Sequence, residues 1–362
     1  MRMYKLPVHV IKLNSDLKNP ILGFIKGMIV TNLICSGFMS CEMREDSFIG
    51  SEIENQRLEL KTKVQTALSN DVDNLAFIFF TDPHLLGGIQ SFSKNEKSRF
   101  ESSFLELKEF YDFLPVSFCI CGGDWLTFGD TQAQAKKKLL YADQKMKDLF
   151  PSYFKMMGNH DSNYQGVISI EDSSRGDLPY DFIFDVYFSE VGSSYYMFIS
   201  NTTAFFILDS GLDWDIRMDD FKWTQIYWLA EELEEHKYEH VILGLHMVYE
   251  LDKLTPMSEE LVKLCDAYNH NGTYSSPVRE FSFKSASGAI HTIISGHNHK
   301  DSISFVGANK DIPIIQTCNY TIDNTHSFDF CIVDYNVGSL DLYRIGKGDS
   351  KRQVKLAQSN HY

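Results

Sequence analysis

Positive charge is what this 362-residue chain lacks most: 34 lysines and arginines face 49 aspartates and glutamates, a formal net charge of −15. Binding along a nucleic-acid backbone is driven by neutralising phosphates with Lys and Arg, so that class of partner is not expected. A phosphate-bearing ligand would need positive charge supplied locally, and metal ions can supply it. Paired cysteines are lacking as well. Of seven, Cys35 and Cys41 lie in the N-terminal segment, and the other five are odd in number without paired spacing, which argues against a disulfide framework. Cys119 and Cys121 stand two apart in an apolar run, so both thiols face one side of a strand and read as buried and inert. No internal repeat and no linker divides the chain, while 43% apolar and 14% aromatic residues suffice for a sizeable core.

The N-terminus carries Arg2, Lys5, Lys12, Lys18 and Lys26, then an uncharged, mostly apolar run over residues 27–40 that stops at Cys41-Glu42. That is the layout of an export signal. Phe38-Met39-Ser40-Cys41 resembles a bacterial lipoprotein cleavage box, with Phe38 where leucine is usual. It implies a lipid anchor at Cys41, the one membrane attachment expected, and a cell-envelope or periplasmic location. The alternatives are an uncleaved anchor over residues 21–41, for which Lys26 and Asn32 make a poor spanning helix, or a mispredicted start and a cytoplasmic protein. Residues 1–41 are thus expected as signal, 42–73 as a helical lead-in, 74–346 as the main domain and 347–362 as a polar tail.

Residues 51–67 read as a polar amphipathic helix, after which strands and helices alternate. Residues 75–81 form a continuous apolar run of strand length, and 97–114 place Phe100, Phe104, Leu107, Tyr111 and Leu114 on one helical stripe. A second buried strand follows at 116–122. A helix capped by Asp130 or Thr131 carries Ala135, Leu139, Ala142, Met146 and Leu149 until Pro151 stops it, and a third strand spans 153–157. From 162 to 191 the pattern lapses, which predicts an inserted surface loop. Strands are expected at 194–200, 203–209, 241–245 and 292–295, and helices at 219–236 and 258–268, the first with Trp228 facing the core. The tail strands at 303–306, 312–317, 328–335 and 339–345 are expected to close a second sheet.

Five short blocks end in residues that bind hard or borderline divalent ions: Asp82-Pro83-His84, Gly123-Asp124, Gly158-Asn159-His160-Asp161, Gly244-Leu245-His246 and Gly296-His297-Asn298-His299. Asp82, Asp124 and Asn159 each follow an expected strand, where open α/β sheets place their ligands. Asp124 is short and fixed enough to bridge two ions, and Asp82 and His84 can converge on one if the chain bends at Pro83. Asn159 offers an amide oxygen; His246, His297 and His299 offer imidazole nitrogens suited to zinc, iron or manganese. Two ions about 3.5 to 4 Å apart can hold a phosphate ester on both faces of an in-line displacement. His236, His240, His270 and His291 lie outside the blocks and read as ordinary core or surface residues.

In this order the blocks resemble the calcineurin-like metallophosphoesterases, over roughly residues 74–346. The resemblance implies an α/β fold of two β-sheets packed as a sandwich and flanked by helices in four layers. It implies two metal ions, one held by Asp82, His84, Asp124 and His299, the other by Asp124, Asn159, His246 and His297. It also implies hydrolysis of a small phosphate ester, with a hydroxide bridging the ions as nucleophile. His160 would then face the substrate, as a cation toward the phosphoryl oxygens or as the acid for the leaving alkoxide, and Asp161 would orient it. Thr127 stands where purple acid phosphatases carry tyrosine, and residues 125–130 and Asp161 replace the Asp-Arg-Gly and Glu of Ser/Thr protein phosphatases. Phe205-Phe206-Ile207-Leu208-Asp209-Ser210 with Gln225, Trp228 and Leu229 loosely resembles the cyclic-nucleotide phosphodiesterase-like branch. A two-metal hydrolase of phosphate mono- or diesters is the leading expectation, with a phosphodiesterase as its suggested form and a phosphomonoesterase, or after it a non-catalytic binding protein, as alternatives. The clustered HxHxDH of metallo-β-lactamase-type hydrolases is absent.

Overall fold

Fully buried apolar runs make the first parallel unit, as seen in a computed structural model that describes residues 11–12, 44–84, 94–127, 130–163, 178–210, 219–322, 325–346 and 351–357. After the short β1 (Ile11–Lys12) and the long α1 (Arg44–Asn70) comes β2 (Leu75–Phe80), buried at every position. Helix α2 (Lys94–Phe113) returns the chain to β3 (Phe118–Cys121), and α3 (Gln132–Leu149) returns it to β4 (Tyr153–Lys155). The three strands pair in parallel. Thr131 starts α3 through a capping box, accepting from the Gln134 amide while the Gln134 side chain reaches back to the Thr131 amide.

The chain continues through α4 (Tyr180–Tyr187), β5 (Tyr196–Ser200), β6 (Thr203–Ile207), α5 (Asp219–Glu235), β7 (His240–Gly244), the hairpin β8 (Tyr249–Glu250) and β9 (Lys253–Leu254), and α6 (Pro256–Asn269). A hairpin of β10 (Thr273–Ser275) and β11 (Glu280–Ser282) precedes β12 (Ala289–Ser295), β13 (Ser302–Val306) and β14 (Ile312–Gln316). The last strands are β15 (Thr321–Ile322), β16 (Thr325–His326), β17 (Phe328–Asp334), β18 (Ser339–Ile345) and β19 (Lys351–Lys355). Two large mixed sheets result, ordered β1-β5-β6-β7-β12-β14-β13 and β19-β18-β17-β2-β3-β4.

Alternation along the strands joins the layers. On β6, Phe205 and Ile207 face the core shared with the other sheet, whereas Ala204 and Phe206 join the cluster that receives α5 and α6. Aromatic rings fill the gap between the sheets: Phe118 of β3 lies 5.0 Å from Phe205 and 5.1 Å from Phe198, and Phe154 stacks on Phe198. On the other side of the six-stranded sheet, α1 sets Leu60, Val64 and Ala67 into the same core. The expected two-sheet sandwich flanked by helices is the observed architecture.

Three expectations change. The stretch 162–191 is not all loop, because α4 buries Ile183, Val186 and Tyr187. The strands expected to close one sheet divide between both: β14 pairs in parallel with β12, while β17 lies antiparallel to β2. The polar tail contains β19, which pairs with β18 and buries Arg352 and Val354. At the other edge, Ile11–Lys12 pairs with Phe198 and Ile199 of β5. Cys41 and the apolar run before it lie outside the described residues. No helix among the described residues is long and apolar enough to cross a membrane.

Candidate metal centre

Strands β2, β3, β4, β7 and β12 each run into one of the five blocks at their C-terminal ends. The exits are sharp. Asp82, His84, Asp124, His297 and His299 have φ of 51°, 38°, 59°, 73° and 53°, five of the eleven non-glycine residues with positive φ among those described. Side chains rarely adopt that region, and it costs of order 1–3 kcal/mol per residue, so strain is concentrated on the groups that must meet. Glycines make the room: a Cβ on Gly158 would lie 2.1 Å from Asp124 Oδ1, and one on Gly296 2.4 Å from Asp82 Oδ2.

Both carboxylates are buried and each uses one oxygen to fix itself. Asp82 Oδ2 accepts from Thr81 Oγ1 at 2.7 Å and from the His297 amide at 2.9 Å; Asp124 Oδ1 accepts from the His160 amide at 2.8 Å. Their second oxygens, Asp82 Oδ1 and Asp124 Oδ2, are buried without a hydrogen bond, as is His246 Nε2. These atoms converge: His246 Nε2 is 3.1 Å from Asp124 Oδ2 and 3.8 Å from Asp82 Oδ1. His299 Nε2 lies 3.2 Å from Asp82 Oδ1, and His84 Nε2 lies 3.8 and 3.9 Å from the two carboxylates.

Carbonyl groups orient two of the rings. His84 Nδ1 is 2.9 Å from Leu126 O and His246 Nδ1 is 2.7 Å from Gly122 O; a carbonyl only accepts, so Nδ1 carries a proton and Nε2 turns inward. Asp82, His84 and His299 form one set with ligand atoms within 4.8 Å of one another, and Asp124, His246 and His297 form a second. Asn159 joins the second through its Oδ1, 3.0 Å from His297 Nδ1. The structure thus gathers all seven residues expected as ligands.

Electrostatics show what the centre demands. Burial opposes a charge on His246, yet Asp124 and Asp82 outweigh it and raise its pKa to about 10. Burial likewise opposes ionisation of Asp124, but His246, His160 and His84 hold its carboxyl well below the usual range. A proton on His246 and a metal ion compete for the same place. His160 differs: burial lowers its pKa to about 4 against the pull of Asp124. It stands edge-on to His84, 4.9 Å between centroids, with Nε2 3.9 Å from Asp124 Oδ2.

Asp161 acts on the backbone and not on the His160 ring. Its Oδ1 accepts from the amides of Trp125 (2.7 Å) and Leu126 (3.3 Å), its Oδ2 from those of Asp124 (3.0 Å) and Gly158 (2.9 Å). Four donors fill the four lone pairs of a carboxylate, so Asp161 shapes the turn that presents Asp124. Burial and the Asp124 charge push its pKa up to about 7, opposed by the Gly158 amide. Sequence reasoning missed Thr81 and the carbonyls of Gly122 and Leu126, whose tasks depend on where the backbone passes. Asp209 and Gln225, singled out above, bond reciprocally at 2.8 Å, and Ser210 Oγ accepts from the Met247 amide, bracing the exit of β6 beside His246.

No family model and no curated protein matches the chain. Solved structures do. A dimetal phosphatase from Danio rerio is similar over 78% of this chain and 99% of its own, with 12% identity and a TM-score of 0.50. The two share a fold. Vps29 from Chaetomium thermophilum covers 78% of this chain and 97% of its own at 11% identity and TM-score 0.33, and TT1561 of Thermus thermophilus covers 75% and 99% at 8% and 0.38. At 12% identity the likeness to the phosphatase is one of fold, and the chemistry rests on this chain's own residues. Its His/Asp clusters suit divalent metal ions.

Proposed function

We propose that the chain hydrolyses small phosphate esters with the help of two divalent metal ions, and that it prefers diesters. The observation that carries this reading is the pair of buried carboxylate oxygens, Asp82 Oδ1 and Asp124 Oδ2, that meet His246 Nε2 without a hydrogen bond. Two buried carboxylates balanced chiefly by a proton on His246 form an arrangement whose positive charge a metal cation can supply instead. Manganese, iron or zinc suits the oxygen and nitrogen donors. Asp82, His84, Asp124 and His299 would hold one ion, and Asp124, Asn159, His246 and His297 the other. When bound, the ions supply Lewis acidity toward phosphoryl oxygens and make a water nucleophilic near neutral pH.

The chain's own residues do the rest. Asp124 ties the two ligand sets together, and the four amides on Asp161 hold its turn in place. His160, with a side chain 21% exposed above the buried Asp124, sits at the open face, where its ring N–H donates to a phosphoryl or leaving oxygen. A diester carries one negative charge where a monoester carries two, which suits a site within a chain of net charge −15. The test is a comparison of kcat/KM for a bis-aryl phosphate and an aryl monophosphate with manganese-loaded protein. Faster cleavage of the diester is expected. The reverse order overturns the diester preference, and no turnover of either by protein holding two metals overturns the hydrolase reading in favour of a binding role.

A further inference from the structure

Behind the loop that carries His297 and His299, four charged side chains are buried together. Arg344 of β18 and Arg352 of β19 are 1% and 6% exposed, and Asp329 of β17 is fully buried. The fourth is Asp301, two residues after His299, its side chain 5% exposed. Arg344 pairs with Asp301 Oδ1, and Arg352 pairs with Asp329 Oδ2. Each guanidinium also reaches the other acid: Arg352 Nη2 lies 3.3 Å from Asp301 Oδ1, and Arg344 Nη2 3.4 Å from Asp329 Oδ2. Thr317 Oγ1 donates to Asp329 Oδ2 at 2.7 Å and the Cys318 amide to Asp301 Oδ1 at 2.9 Å.

Stability alone does not account for such a cluster, since replacing a buried ion network with apolar residues is often neutral or stabilising. Its attachment is the informative part. His84 and His246 are oriented through their rings by Leu126 O and Gly122 O, and His297 is anchored by its own amide on Asp82. His299 has no such aid: among the described residues no carbonyl takes a bond from its ring, and its side chain is 44% exposed. Its ring meets other residues expected as ligands, His84 Nε2 at 3.0 Å and Asp82 Oδ1 at 3.2 Å, and from outside the centre its placement comes through the backbone. Cys318 Sγ donates to His299 O at 3.1 Å, and the grip on Asp301 fixes the chain just beyond.

We propose that Asp301, gripped by Arg344 and Arg352, is a positioning residue for His299, so that the C-terminal strand β19 sets the affinity of the metal position built from Asp82, His84 and His299. The position built from Asp124, His246 and His297 is independent of it. The inference rests on the two-metal reading above.

Equilibrium dialysis of the full chain against manganese, with metal counted per chain, tests it. Wild type takes up two ions, and Asp301→Asn weakens one of the two steps about ten- to hundredfold while sparing the other. Near-UV circular dichroism checks that the variant is folded. Arg352→Lys keeps the buried charge balance and loses the planar fork; it is expected to weaken the same step about tenfold and carries the test if Asp301→Asn does not fold. An unchanged isotherm in a folded variant, or equal weakening of both steps, overturns the proposal. Failure of the two-metal reading shows separately, as fewer than two ions on the wild-type chain, and removes this inference with it.

Discussion

The same two strands carry histidines at both ends, and the two ends behave oppositely. Strand β7 starts at His240 and exits to His246, while β12 carries His291 near its start and exits to His297. At the closed end His240 Nδ1 lies 2.9 Å from His291 Nε2, and His240 stacks on Tyr335. Burial and the neighbouring His240 lower the His291 pKa to about 3. At the open end His246 is buried as deeply, yet two carboxylates raise it to about 10. Burial alone therefore says little about a histidine's task. What faces the ring decides it: a second imidazole keeps the charge off His291, and Asp82 and Asp124 make a site that demands positive charge.

Substitutions at the two ends should separate accordingly. The largest effect is expected from Asp124→Ala, which removes turnover and lowers bound manganese, whereas His291→Leu leaves kcat/KM and metal content near wild type; metal analysis beside the diester assay checks both. His160→Ala is expected to lower kcat by about 10²- to 10⁴-fold with both metals retained, since it takes away the proposed donor to the phosphoryl or leaving oxygen. Manganese at a hundred times the Kd of each position should raise the unfolding free energy by about 2.7 kcal/mol per ion bound, with one ion's share lost in His246→Ala and both kept in His291→Leu, read from urea melts with and without chelator.

The smallest effect belongs to the closed end. Below pH 6.5 the unfolded chain protonates His291, while the folded chain, with its pKa lowered to about 3, does not. Stability that is full above pH 6.5 is thus lost as pH falls toward 3, by about 2 kcal/mol between pH 6.5 and 5. Urea melts of metal-free protein at the two pH values should show this slope flattened in His291→Leu.

The strand-end blocks were legible in the sequence because each is local: an apolar run, a glycine or a bend at proline, then a metal-binding side chain. Their ligand atoms meet across the fold, which only their order along the chain foretold. Helix α4 is hard to read from the sequence because it is only eight residues long and follows a stretch rich in glycine and acids. Strand β19 was missed for the opposite reason. Lys-Arg-Gln-Val-Lys alternates, but one of its inward residues is an arginine, buried only because Asp329 and Asp301 arrive from elsewhere in the chain. Asp161 belongs to a legible block but its partners are not legible there, because three of the four amides that surround it come from the turn after β3.

Anomalous scattering from crystals grown with manganese tests the contrast between the two ends most directly. Two peaks are expected, one among Asp82, His84 and His299 and one among Asp124, His246 and His297, with none at His240 and His291. No peak between Asp82 and Asp124 at saturating manganese, or a peak at the His240–His291 pair, would contradict it.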